Sequence, residues 1–205
     1  MDKTQDGGVT VDLVDEAMDC VIRYGKLVGL RSSNEFKLRI CSGIHNHGIA
    51  SPIEQLLFAA IEFVREVNHI NQCEPEGLRG DCFLHGLRII PQFHVLTYRS
   101  DFKIDYYEYP STLEETEHQK PRTVLVECDS QKWHERSEEE RRYEKARDRK
   151  MISDGYQVFH YTGKEIIADP IMVAAEVVAH VTHMSKDELI SSVRDIEKPY
   201  HTGMY

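Results

Sequence analysis

Three acids fall where strands should deliver them. Asp101 opens an apolar segment in Arg-Ser-Asp-Phe, Glu127 closes the run Thr-Val-Leu-Val-Glu, and Asp129 follows two positions later. A strand alternates its side chains, so Glu127 and Asp129 project to the same side if the strand continues that far. A buried carboxylate is costly unless it is paired or bound to a cation. Two strands that bring Asp101 and Glu127 to one edge make an oxygen-rich pocket suited to Mg²⁺ or Mn²⁺, with Asp129 as a further ligand. Such an ion activates water and stabilises charge on a phosphodiester.

The residues that follow supply the complementary chemistry. His134 is placed to act as base or proton donor. Lys132, Arg142 and Arg147 offer positive charge for a phosphate. From Lys132 to Lys150 there are 8 bases and 6 acids, net +2. From Asp101 to Glu117 there are 6 acids and 1 base, net -5. The bases therefore gather beside the proposed metal site. Glu138, Glu139 and Glu140 interleave with them, so a salt-bridged, solvated helix face accounts for the same pattern.

The elements that must position these groups are legible in outline. A helical pattern runs over 9–30, and 31–50 reads as a mixed segment. Ser51, Pro52 and Glu54 mark a helix start with a Ser-x-x-Glu capping box, which is reason enough for a Glu at 54. Ile53, Leu56, Leu57, Ala60, Ile61 and Val64 then repeat at helical spacing as far as about Asn68. Residues 69–88 read as loop. Strands follow over 89–98 and 101–107, with an Arg99-Ser100 break, and over 123–128. A charged helix over 135–153 ends at Asp154-Gly155, and a strand covers 156–161. A last helix over 166–184 is interrupted early by Pro170, and a short helical piece lies in 185–205. The expected organisation is an N-terminal helical extension (1–50), an α/β core (51–168) and a C-terminal helical segment packed on it (169–205). The fold class is α/β, a small mixed β-sheet flanked by helices.

Four segments, SPIEQLLFAAI, QFHVLTYRSDFKIDY, VLVECDSQKWH and EKARDRKMISDGYQVFHYT, together resemble the PD-(D/E)XK nuclease superfamily. Within it they are similar to the Vsr-like (very-short-patch repair type) endonucleases. The resemblance covers about residues 51–165. It matches Glu54 on an early helix, Asp101 on an Asp-Phe strand, and Glu127 with Asp129 at a strand end. It also matches the following His134 and an Arg147-Asp148 pair on the next helix. It implies a restriction-endonuclease-like core and Mg²⁺-dependent cleavage of DNA, with Asp101, Glu127 and Asp129 at the metal. Glu54, His134 and Asp148 complete the catalytic set that it implies. The superfamily's Lys, two places after the strand-end acid, is here Asp129, which leaves its general-base role to His134. The alternative is a catalytically inactive nuclease-fold protein that binds protein or DNA, or inhibits a partner.

Composition narrows the rest. The chain has 205 residues, 40% of them hydrophobic, and a net charge of -10. That length suits one domain with an extension. Phosphate should repel such a chain on average, so any affinity for DNA must come from a metal and a local basic strip. No apolar run approaches the roughly 20 residues that span a bilayer, so no membrane partner is expected. The start shows no signal-peptide pattern. Five scattered cysteines fit a reducing, cytoplasmic setting better than a disulfide framework. Cys41, His45, His47, Cys73, Cys82 and His85 come close to zinc-ligand spacing but lack a Cys-x2-Cys pair.

Overall fold

The computed structural model describes residues 15–19, 21, 33–73, 85–95, 97–109, 120–129 and 137–197. Residues 15–19 and 21 are helical. Helices α1 (Ser33–Asn46) and α2 (Pro52–Val67) lead into strands β1 (Gly86–Val95), β2 (Tyr98–Tyr107) and β3 (Arg122–Asp129). Then come α3 (Glu138–Ser153), β4 (Gln157–Thr162), α4 (Gly163–Ala168), α5 (Pro170–Thr182) and α6 (Lys186–Glu197). The four strands form one sheet in chain order. The β1–β2 and β2–β3 pairs are antiparallel, and β4 joins β3 in parallel. A parallel neighbour needs a crossover, and α3 is that crossover.

The sheet has two unlike faces. One carries Phe102, Ile104, Val124, Val126 and Tyr161 into the main core. Leu56, Leu57 and Ile61 of α2 and Val177 and Val178 of α5 meet them there. Burial of this kind contributes about 1.5–3 kcal/mol for each large apolar side chain. Val21 and Ile40 from the N-terminal side and Leu189 from α6 belong to the same cluster. The other face holds a smaller cluster, in which Met151 of α3 packs with Leu125 and Val95.

The β1–β2 hairpin changes face partway along. Ile89 and Phe102 belong to the main core, whereas Phe93, Val95 and Tyr98 belong to the smaller cluster. The change falls between the Pro91–Phe102 and Phe93–Ser100 rungs, at Gln92 and Asp101. Gln92 has a φ of 53°, a left-handed conformation unusual for a non-glycine residue. This irregularity lies at the position of the predicted strand acid.

Several boundaries differ from the sequence reading. The segment 31–50 contains a full helix, α1, whose polar sequence offers little periodicity. It docks through Ile40 and through Gly43, where a Cβ would lie 2.7 Å from the Phe58 ring. The expected break at Arg99-Ser100 is continuous strand, and β1 ends at Val95 with β2 starting at Tyr98. Ser100 is fully buried, its hydroxyl donating to the Phe102 carbonyl at 3.0 Å, so its polarity is satisfied inside the sheet. The Ser51–Glu54 capping box does not form, because the Ser51 side chain accepts no backbone N–H. Pro170 does interrupt the late helix, with Asp169 capping α5 through the Met172 N–H at 2.9 Å. Among the described residues no helix is long and apolar enough to cross a membrane.

Candidate functional site

The site forms at the C-terminal end of β3. The β2–β3 ladder runs to the Phe102–Val126 rung, and the next positions on the two strands are Asp101 and Glu127. β3 extends to Asp129, so the alternation that puts Glu127 and Asp129 on one side holds. Asp101 turns its carboxylate back onto β3, where Oδ2 accepts the Cys128 N–H at 2.7 Å. Asp101 therefore closes the irregular end of the β2–β3 pairing with a side chain in place of a rung.

Glu54 reaches the same region from the first turn of α2. Its Oε2 accepts a hydrogen bond from Gln92 Nε2 at 2.6 Å. Gln92 is the left-handed residue at the point where the hairpin changes face, so the backbone irregularity and the Glu54 contact are one device. Burial, then the nearby Asp101 charge, push the Glu54 carboxyl up to about 7, against the opposing pull of Arg99.

Glu127 is the most enclosed of the acids, its side chain only 7% exposed. Arg147 Nη1 approaches its Oε2 at 3.4 Å, and its Oε1 is buried with no hydrogen-bond partner. Burial pushes the Glu127 carboxyl up to about 7; Arg147 opposes the shift and Asp101 adds to it. Burial also raises Asp101, although the Cys128 N–H opposes it. Burial works against the Arg147 charge, but Glu127 and Asp148 outweigh it and raise its pKa. Cys128 lies among these groups. Burial first, then Asp101, Glu54, Glu127 and Asp129, raise its thiol well above the usual range.

The α3 crossover supplies the second half of the site. Arg147 Nε pairs with Asp148 Oδ1 at 3.3 Å. His160 stands opposite Glu127 on β4. Its Nδ1 lies 3.2 Å from Asp129 Oδ2 and its Nε2 lies 3.3 Å from Asp148 Oδ2. The hydrogen bond to Asp129, then the Asp148 charge against the cost of burial, raise the imidazole pKa. His160 thus ties α3 to the strand ends.

Five of the sequence-predicted acids are thus brought to one end of the sheet: Glu54, Asp101, Glu127, Asp129 and Asp148. Arg147 joins them. Arg142 is turned outward and pairs with Glu138 at 2.7 Å in solvent. Lys132 and His134 lie outside the described residues. His160, Gln92 and Ser100 were missed by sequence reasoning. The available signal for His160 was its place in the Gly-Tyr strand; alternation puts it on the Val158 side, but only the register puts it beside Glu127. Of the zinc candidates, Cys41, His45 and His47 are exposed, Cys73 is buried, and Cys82 lies outside the described residues.

Among the described residues no group of three or more His, Cys, Asp or Glu side chains is gathered tightly enough to hold a metal ion. The donor chemistry still fits a hard divalent cation. The groups are carboxylates, one oxygen is buried without a partner, and two carboxyls hold protons up to about pH 7. No protein-family model, curated protein or solved structure matches the chain.

Proposed function

We propose that the chain is a metal-dependent endonuclease that hydrolyses phosphodiester bonds in DNA at the acidic end of β3. The observation that carries this reading is the surplus of acid there. Among the described residues five carboxyl groups, two of which hold a proton up to about pH 7, lie with Arg99, Arg147 and His160, and the most buried of them keeps an oxygen without a partner. A surplus of oxygen donors in a partly dry pocket is what a divalent ion would neutralise.

In this reading Asp101, Glu127 and Asp129 hold Mg²⁺ or Mn²⁺. Such an ion, when bound, eases deprotonation of water and offsets charge that builds on the phosphate. Glu54, held by Gln92, would orient a water at that site. Arg147 exchanges part of its contact with Glu127 for the phosphate. Asp148 and His160 keep the helix that carries Arg147 against the strands. His134 takes the proton-transfer role that the missing Lys would have had, and Lys132 and Arg142 add positive charge for the substrate.

One observation favours a second reading, a nuclease-fold protein that binds or inhibits without cutting. Arg147 already offers Glu127 a cation at 3.4 Å. One assay separates the two. Plasmid DNA is incubated with the chain and Mg²⁺ or Mn²⁺, with EDTA as control. Metal-dependent cutting should fall on the order of 10³-fold in Asp101→Ala and in Glu127→Ala, the loss of several kcal/mol of metal assistance. Cutting that survives both substitutions rules out the site. No cutting by the unaltered chain, with carboxylate-independent DNA binding, supports the second reading.

A further inference from the structure

The change of face at Gln92 decides where the tip of the hairpin points its polar residues. Phe93, Val95 and Tyr98 lie in the smaller cluster, so strand alternation sends His94 and Arg99 to the opposite side. These two stand across from each other on one rung, and both are exposed. The side they occupy is the one from which α2 presents Glu54. Arg99 is close enough there that its charge opposes the rise of both the Glu54 and the Asp101 carboxyl. A cation thus reaches the acids from the α2 side of the sheet, whereas Arg147 comes from the α3 side.

Arg99 differs from the other cations at this end of the sheet in its lack of a partner. Arg147 is engaged by Glu127 at 3.4 Å and by Asp148 at 3.3 Å. His160 lies between Asp129 and Asp148. Among the described residues, Arg99 and His94 make no ion pair and no side-chain hydrogen bond. The reason is local. Gln92 and the Cys128 N–H already hold the two carboxyls that feel the Arg99 charge, at 2.6 and 2.7 Å. The guanidinium therefore keeps its fork of N–H donors, the geometry that fits a phosphate two bonds at a time. His94 adds a ring N–H from across the rung, where opposed Cβ atoms are about 5 Å apart, so one tetrahedral anion can take donors from both. The start of α2, which no side chain caps, adds the partial positive charge of a helix N-terminus on the same side.

We infer that Arg99, with His94, clamps a backbone phosphate of DNA next to the scissile one, on the α2 side of the acids. The inference rests on the nuclease reading for the scissile phosphate, but its test reads binding alone. Anisotropy of a fluorescein-labelled duplex is measured with Ca²⁺ at about 50 to 200 mM salt, with a gel to check that the duplex stays intact. Arg99→Gln should weaken binding about tenfold at about 0.1 M salt and flatten the slope of log affinity against log salt by about 1. Arg99→Lys keeps the charge and should keep the slope. Lys186→Gln removes the same charge from α6, which meets the far end of α2, where Asn68 donates to the Leu189 carbonyl at 3.4 Å. A 16-residue helix is about 24 Å long, well past the screening length, so this control should bind within about twofold of the unaltered chain. A second duplex of unrelated sequence should lose as much as the first in Arg99→Gln, because a phosphate contact carries no sequence information. Thermal melting checks that each variant is folded. An unchanged Arg99→Gln affinity, an equal loss in Lys186→Gln, a loss confined to one sequence, or no binding by the unaltered chain would each overturn the inference; the last is what a tip that docks an acidic protein would give. A chain that binds through Arg99 but cuts nothing with Mg²⁺ keeps the clamp and loses the nuclease. A chain that cuts, with affinity indifferent to Arg99, does the reverse.

Discussion

Two charged clusters in this molecule invite comparison. Between α1 and α2, Arg39 and Arg65 meet Glu62 and Glu66. Arg65 Nη2 lies 2.9 Å from Glu62 and 3.3 Å from Glu66, and Arg39 Nη2 lies 2.9 Å from Glu66. Arg65 also donates to the Ile70 carbonyl at 3.0 Å, where the chain leaves α2. Each of these side chains has a charged partner, and the network joins one helix to the next. At the end of β3, among the described residues, five carboxyl groups meet two arginines and one histidine, and two of the five hold a proton up to about pH 7. Both clusters are partly or wholly buried. Partnering separates them: the first is a set of matched ion pairs, whereas at β3 one buried Glu127 oxygen has no partner, and on the proposed reading a cation would sit there.

The comparison is sharpest where a charge is removed from each side. Arg65→Met leaves buried Glu62 with only the longer Arg39 contact, at 3.7 Å, and should cost about 3 kcal/mol of stability. Urea denaturation would measure that loss, and metal-dependent cutting per folded molecule should not change. Glu127→Gln should do the opposite at alkaline pH. The folded carboxyl titrates at about 7, above its ordinary 4.5, so the stability that it contributes is complete below 4.5. That stability is lost as pH rises through about 7. At pH 8 the substitution should therefore stabilise the metal-free chain by roughly 3 kcal/mol, since one pKa unit is worth about 1.4, and at pH 4.5 it should not. A destabilised Glu127→Gln protein at pH 8 would put this cluster in the same class as the other.

Metal linkage gives a third contrast. On the proposed reading Mg²⁺ would compete with the protons on Glu54 and Glu127, so its stabilisation should be larger at pH 8 than at pH 5.5. At about a hundred times its Kd the gain at pH 8 should be ~2.7 kcal/mol, read from thermal melts, and Asp101→Ala should abolish it. The smallest effect belongs to His160. Its pKa is raised, so its contribution is complete below the ordinary 6.5 and fades as pH climbs past the folded value. His160→Asn should cost about 1 kcal/mol at pH 5.5 and less at pH 8.5, by the same melts. A pH-independent loss would mean that the ring matters for packing alone.

What the sequence discloses follows from range. Glu127 and Asp129 are two positions apart, and strand alternation alone places them together, as found. Asp101 is 26 residues away, but it opens an apolar strand, and the antiparallel ladder carries it to Glu127. The elements with strong local signals, α2, β3, α3 and β4, lie close to where periodicity puts them. What was hidden depends on pairing. His160 gains its meaning from the parallel register with β3, which no local pattern encodes. Gln92 gains its meaning from a backbone conformation, and Ser100 looks like a break until the sheet buries it. Glu54 shows how a local rule is modified: the capping box does not form, and the carboxyl is shared between Ser51 and Gln92, a partner 38 residues away.

Helix α3 has one more property, and it is mechanical. Its C-terminal end is anchored by Met151 in the small cluster, and only the turn through Gly155, with φ of 90°, separates it from β4. The rise along the axis puts Arg147 about 6 Å and Tyr143 about 12 Å from that anchor. A tilt of about 10° around Met151 would displace Arg147 by about 1 Å and Tyr143 by about 2 Å. Against such a tilt stand the His160–Asp148 contact and the Tyr98–Tyr143 ring pair, which fix the distance of Arg147 from Glu127.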